Sequence, residues 1–233
     1  MASRAAEDDL EAFRRELVRC RRCPRLAAWL EQVAREKRRA FAECEYWSRP
    51  VPGFGDPDAP LVLFGLAPGA HGSNRTGRMF TGDASGAFLF PALHRAGLAS
   101  RPDAVSRDDG LTLRGVYITA AVRCAPPGNR PDASELAACA SWTARELSSL
   151  RRARVFLALG RIGHDALLRQ FGLPPSAARF GHGAAFALGA GRTLLDSYHV
   201  SRQNTQTGRL TAAMFDAVLE RAKALAGAPD STT

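Results

Sequence analysis

LVLFGLAPGAHGSNRTGRMFTGD, residues 61–83, decides the reading of this chain: a short apolar run, LVLFG, ends on a glycine and opens into a long loop rich in Gly and polar residues. A run of that length bounded by turn residues is a buried strand rather than a helix. VYITAAV (116–122) and VFLALG (155–160) repeat the pattern, and a last strand falls near 192–197. Helical patterns separate them at about 84–96, 132–149 and 161–171, and an amphipathic helix closes the chain over 208–226. The start of the 132–149 helix is marked by Pro131, then Asp132 with Glu135 three residues on, a pairing that caps a first turn reciprocally. Upstream, Leu10, Phe13, Leu17 and Val18 are spaced as on a helix over 7–19, a second helix is expected over 25–43, and WSRPVPGFGDPDAP (47–60) reads as an ordered loop. Apolar strands alternating with helices predict an α/β fold, one domain over 1–233, with a central, mostly parallel, four-stranded sheet flanked by helices on both faces. Residues 1–8 and 227–233 are expected to be flexible.

With 233 residues, 45% of them hydrophobic, the chain is long enough to bury one sizeable core. Thirty-two Lys plus Arg against 23 Asp plus Glu give a net charge of +9, which points to a polyanionic partner. Lys37 and Lys223 are the only lysines, and the arginines that carry the remaining charge suit phosphates and guanine edges. The N-terminus has no apolar core of a signal peptide and no stretch is long enough for a membrane helix, so a cytoplasmic protein is expected.

In open parallel sheets ligands bind beyond the carboxyl ends of the strands, and the unusual sequence falls there. In GLAPGAHGSNRTGRMFTGD (65–83) Gly and Pro permit sharp turns and close backbone approach to a ligand, but neither a P-loop ending nor dinucleotide spacing is present. RCAPPGNRP (123–131) sets the amide of Asn129 beyond a Pro-Pro turn; an amide can read a pyrimidine edge, and is also a common turn residue. SYHVSRQNTQTGRLT (197–211) surrounds His199 with hydroxyls, amides and arginines. Cys20 and Cys23 form a C-x2-C pair, with Cys124 and Cys139 further on; spacing alone allows either zinc or a [4Fe–4S] cluster, and Cys44 is left over as a small buried residue.

Together with ECEYWSRPVPGFGDP (43–57), these loops resemble the uracil-DNA glycosylase superfamily, specifically family 5, the iron–sulfur-containing type B, over most of the chain. The resemblance implies an enzyme that flips uracil, and other deaminated bases such as hypoxanthine and xanthine, out of double-stranded DNA and hydrolyses the glycosidic bond. It implies that Gly65, Ala67 and Gly69 line the pocket, Phe80 stacks on the flipped base, Asn129 reads its edge, and His199 donates to the base oxygen that becomes negative. Ser201, Arg202, Gln203 and Asn204 would meet the DNA groove. It also implies a [4Fe–4S] cluster on Cys20, Cys23, Cys124 and Cys139. Ala67 departs from better-known members, which carry an acidic residue there; Asp83 is the carboxylate left to act on water or the sugar cation, and equally an N-cap for a helix at Ala84. With no lysine in any motif, hydrolysis without strand cleavage is expected, by a monomer. Two alternatives remain: a protein of this fold that binds lesions or abasic sites without chemistry, and a metal-stabilised nucleic-acid module outside repair.

Overall fold

The computed structural model describes residues 2–227, arranged around one six-stranded sheet. The helices are α1 (Ala2–Leu17), α2 (Pro24–Glu36), α3 (Ser73–Thr76), α4 (Ala84–Arg95), α5 (Ala133–Ser149), α6 (Arg161–Gln170), α7 (Arg202–Gln206) and α8 (Ala212–Gly227). The strands are β1 (Phe54–Gly55), β2 (Leu61–Gly65), β3 (Val116–Ala120), β4 (Val155–Leu159), β5 (Ala185–Gly189) and β6 (Arg192–Ser197). Residues 2–8, expected to be flexible, begin α1; of the expected flexible tail, 228–233 lie outside the described residues. No helix among the described residues is long and apolar enough to cross a membrane.

The sheet order is β1-β3-β2-β4-β6-β5. The four central strands are the four expected, and they pair in parallel. The count of four is corrected to six by short antiparallel edges, β1 on β3 and β5 on β6. Every residue of β2, β3 and β4 is buried, as continuous apolar runs covered on both faces must be. Alternation sorts them: Leu61 and Leu63 join Leu89, Phe90, Phe215 and Leu219 of α4 and α8, while Val62 and Phe64 join Leu10, Leu167 and Leu168 of α1 and α6. A smaller cluster of Phe13, Leu17, Leu26, Val122, Cys139 and Trp142 seats α1 and α2 against α5.

Helix boundaries follow local chemistry. The second helix stops at Glu36, short of the expected 43, because Lys37 turns to φ 42 and leaves the helical region. The α5 capping box is present in both directions: Asp132 accepts from the Glu135 N–H and Glu135 accepts from the Asp132 N–H, each at 2.9 Å. Arg25 of α2 grips the same Glu135 through two hydrogen bonds of 2.8 and 2.6 Å, binding the N-terminal helices to the segment after β3.

At the centre of one face lies the carboxylate of Glu146, with no solvent exposure. It accepts from the Gly53 N–H at 3.0 Å, the Tyr117 hydroxyl at 3.1 Å and the Thr119 hydroxyl at 2.5 Å. Arg123 Nη2 lies 2.6 Å from it, a charge contact whose angle falls short of a hydrogen bond, so Nε and Nη2 have no hydrogen-bond partner. Gly53 is required there: a Cβ would sit 2.6 Å from the carboxylate and 2.5 Å from the Tyr117 ring. Removing one partner of a buried ion pair leaves the other charge uncompensated, so Glu146→Ala should destabilise the fold by roughly 3–5 kcal/mol in urea unfolding. A loss of the size typical of exposed ion pairs would show that Arg123 finds other partners.

Candidate active site

The three unusual loops emerge from the carboxyl ends of β2, β3 and β6, with β4 between β2 and β6. The first is pinned to the continuation of β3 by the Ala121 and Val122 N–H groups, which donate to Gly65 and Leu66 carbonyls at 3.0 and 2.9 Å. It then doubles back through α3, where Ser73 is buried and accepts the Phe80 N–H at 2.9 Å. Phe80 itself takes φ 54, a left-handed conformation that costs a non-glycine residue of order 1–3 kcal/mol and clusters at functional sites. Two glycines make room for it. A Cβ at Gly65 would lie 3.0 Å from the Phe80 ring, and one at Gly86 would lie 1.8 Å from the Phe80 carbonyl oxygen.

Asp83 fills both readings that its position allows. It is the N-cap of α4, Oδ1 accepting the Gly86 N–H at 2.9 Å. Its other oxygen faces the first loop: a Cβ at Gly69 would come within 3.2 Å of Oδ2, and one at Gly72 within 2.0 Å. Burial pushes the carboxyl above its ordinary pKa, while the backbone N–H groups of Gly86 and Ser85 and the charge of Arg75 pull it back. Arg75 is held in place for this, donating to the His71 and Gly82 carbonyls at 2.9 and 3.1 Å with its guanidinium 4.1 Å above the Phe41 ring. Ala67 packs against the apolar cluster of Val122, Cys139 and Trp142.

His199 follows β6. Its ring centroid lies 6.3 Å from that of Phe80, and its Cβ stands 3.2 Å from the point a Cβ on Gly160 would occupy. Gly160, at φ 94, is thus the close approach that seats the histidine, and it ends the β4 run read from sequence. Burial lowers the His199 pKa to about 4, so the imidazole is neutral at pH 7 and keeps one N–H to donate. Asn204 Nδ2 donates to the His199 carbonyl at 2.8 Å, and Ser201 caps α7. Arg202 and Gln203 project from that short helix into solvent. A layer not apparent in the sequence supports it from below: His182 stacks on Tyr198 at 5.0 Å and accepts the Tyr198 N–H.

Phe80, Gly65 and His199 are therefore one group, with Asp83 facing Gly69 and Gly72. Asn129 is held by its own turn rather than by hydrogen bonds to this group. It is exposed at the apex of a turn, at φ 57 after Gly128 at φ 59, its N–H donating to the Pro126 carbonyl at 3.1 Å. Among the described residues it makes no hydrogen bond to Phe80, Asp83 or His199.

Cys20, Cys23, Cys124 and Cys139 line one small pocket, together with Leu17, Leu26, Val122 and Trp142. The indole N–H of Trp142 donates to Cys20 Sγ at 3.3 Å. Burial raises the pKa of the Cys23, Cys124 and Cys139 thiols, and neighbouring cysteines raise it further. Among the described residues no three His, Cys, Asp or Glu side chains form a cage for a metal ion.

The family profile described as the uracil DNA glycosylase superfamily matches residues 52–223. A type-5 uracil-DNA glycosylase of Thermus thermophilus is 64% identical over 219 residues, covering 94% of this chain and 99% of that protein. One of Mycobacterium tuberculosis is 51% identical, over 89% of this chain and 78% of the relative. A type-4 uracil-DNA glycosylase of Pyrobaculum aerophilum reaches 36% over 55% of this chain and 58% of its own length. A matched profile that spans all six strands, and a type-5 relative 64% identical and matched along nearly its whole length, place the chain in the uracil-DNA glycosylase superfamily, in its type-5 branch.

Proposed function

We propose that the protein excises uracil, and with it hypoxanthine and xanthine, from double-stranded DNA in the cytoplasm, acting as a monomer and leaving an abasic site in an intact strand. The observation that carries this reading is the pairing, at the strand ends, of a half-buried, neutral imidazole with an aromatic ring and a carboxylate set against glycine backbone. An extruded base stacks on Phe80, a contact worth about 1–3 kcal/mol. As the bond between base and sugar breaks, its electron pair moves onto the base, and the neutral His199 N–H donates to the oxygen that gains the charge. Water forms the new bond to the sugar carbon, losing its proton toward Asp83, while the same carboxylate faces the positive charge of the sugar. Asn129, carried on its exposed turn, would read the base edge. Arg202 and Gln203, exposed on α7, are the side chains offered to the groove.

Strand cleavage through an amine is disfavoured by the placement of both lysines. Lys37 donates to the Ala42 carbonyl, and Lys223 pairs with Glu220 on α8. The competing reading, a lesion binder without chemistry, rests on Ala67; Ala67 packs toward the cysteines, and Asp83 supplies a carboxylate from another position.

For the four cysteines we infer a [4Fe–4S] cluster. A four-iron cube holds its thiolates farther apart than a single zinc ion does, which suits four thiols lining one cavity without forming a single-ion cage. Thiols whose ionisation is opposed by burial and by each other need a cationic centre to be held together as thiolates. The cluster would supply a structural tie and a local field, joining the α1–α2 segment to the loop that carries Asn129.

The direct test is release of free base from otherwise identical duplexes containing uracil, hypoxanthine, xanthine or a normal base. Release from the damaged duplexes, with strand breaks only after alkali, is expected; tight binding without release would favour the lesion-binding reading. His199→Ala should slow release about 10²–10³-fold with the fold retained, and near-normal turnover would remove His199 from its role. Asp83 must be ionised to act, and its folded pKa is raised, so the rate should climb with pH through that pKa. Asp83→Asn should flatten this limb and cost roughly 10²–10⁴-fold; an unchanged pH profile would assign the limb elsewhere. Serine at any one of Cys20, Cys23, Cys124 or Cys139 should abolish a brown iron–sulfur absorbance, and a colourless native protein with stoichiometric zinc would replace the cluster by a single ion.

A further inference from the structure

Two shallow depressions meet beside α1, sharing Arg15 and Val18, and neither takes part in the chemistry above. One takes in Arg19, Arg21 and Arg49; the other continues past Trp47 to Gly77 and Arg107. These five arginines are exposed. Arg14 pairs with Glu7 and Glu11, Arg78 makes two bonds to Asp109, and Arg15 and Arg107 lie 3.7 and 3.9 Å from Glu11 and Asp108. The positive charge along the groove is therefore concentrated at Arg19, Arg21 and Arg49, and part of it gathers on an aromatic: the guanidinium groups of Arg49 and Arg107 lie 5.5 and 4.7 Å from the Trp47 ring.

The groove is rigid and rigidly joined to the base pocket. Trp47 donates its N–H to the Arg75 carbonyl at 3.0 Å and its indole N–H to Pro50 at 3.2 Å, and its ring rests on Gly77, where a Cβ would be 2.9 Å away. Ser48 N–H donates to Asn74 at 3.1 Å. The wall is thus α3, the same turn whose Ser73 holds Phe80. Arg107 rides on a loop fixed by Asp109, which accepts the Val105, Ser106 and Leu111 N–H groups.

We propose that this groove binds the phosphate backbone of duplex DNA on one side of the extruded nucleotide, as a contact separate from the α7 loop. The proposal rests on the glycosylase reading and adds the path of the flanking strand. Exposed guanidinium forks suit phosphate oxygens.

The test is the salt dependence of binding to a short duplex, with and without one uracil, for the full-length protein and two double variants of equal charge. Arg19→Gln with Arg49→Gln removes two groove contacts. Arg114→Gln with Arg152→Gln removes two exposed arginines just before β3 and β4, at the opposite ends of the strands. The groove variant should bind both duplexes at least ~10-fold more weakly at about 0.1 M salt, with the slope of log affinity against log salt reduced by about 1.8. The control variant should match the wild type. An unchanged slope in the groove variant, or an equal loss in the control, overturns the proposal; the former would leave the groove to an acidic protein. Failure of the wild type to release base from any damaged duplex would instead refute the glycosylase reading, and the comparison of slopes would still decide the groove.

Discussion

The carboxylate of Glu146 is the fixed point on which the remaining structure is hung. Four separate pieces of chain converge on it: Gly53 ahead of the first strand, Tyr117 and Thr119 within β3, Arg123 just past it, and α5, which carries it. A buried charge without partners would be expelled or neutralised, so each piece must arrive in place for the others to be tolerated. The position of Arg123 in turn sets where the chain leaves β3 and where Cys124 faces the N-terminal helices. The same knot closes the segment that lays Trp47 against α3.

The base pocket shows the opposite use of a low-dielectric interior. Burial drives both titratable groups toward their neutral forms, His199 downward and Asp83 upward in pKa. For the histidine this is all that the chemistry asks, since a neutral ring still has an N–H to offer. For the carboxylate it is a handicap, opposed by the amino end of α4 and by Arg75, whose guanidinium is tethered at two carbonyls and one aromatic face. The loop between β2 and α4 thus carries a group together with the cation that keeps it ionisable.

How far the sequence could be read depended on how much of the signal was local. The central strands were legible because a strand covered on both faces is a continuous apolar run. The edges were not. Phe54–Gly55 sits in a stretch dense in Pro and Gly, and its pairing with Ile118 and Tyr117 depends on Gly53 being drawn to a carboxylate far along the chain. Ala185–Gly189 is mostly half-exposed and shifts register near its end, so neither apolar run nor strict alternation marks it. In the site, Phe80, Asp83 and His199 stood out through the family pattern, and Asp83 as a cap through its place before Ala84. The glycines at 86 and 160 did not, because what they exclude is a Cβ against residues distant in space rather than in any motif. Asn129 was legible as a turn residue after Pro-Pro-Gly, and the structure shows that turn exposed.

The loops of the pocket leave parallel strands joined through helical crossovers, and within the described sheet β2 and β3, and β5 and β6, are the pairs adjacent in both sequence and space. Such long-range pairing is slow to form and yields little until loop closure is complete. Phe80, Asp83 and His199 hang from crossovers on both sides of β4, so no contiguous half of the chain contains a working pocket. A partly folded chain that lacks either segment therefore lacks part of the candidate pocket.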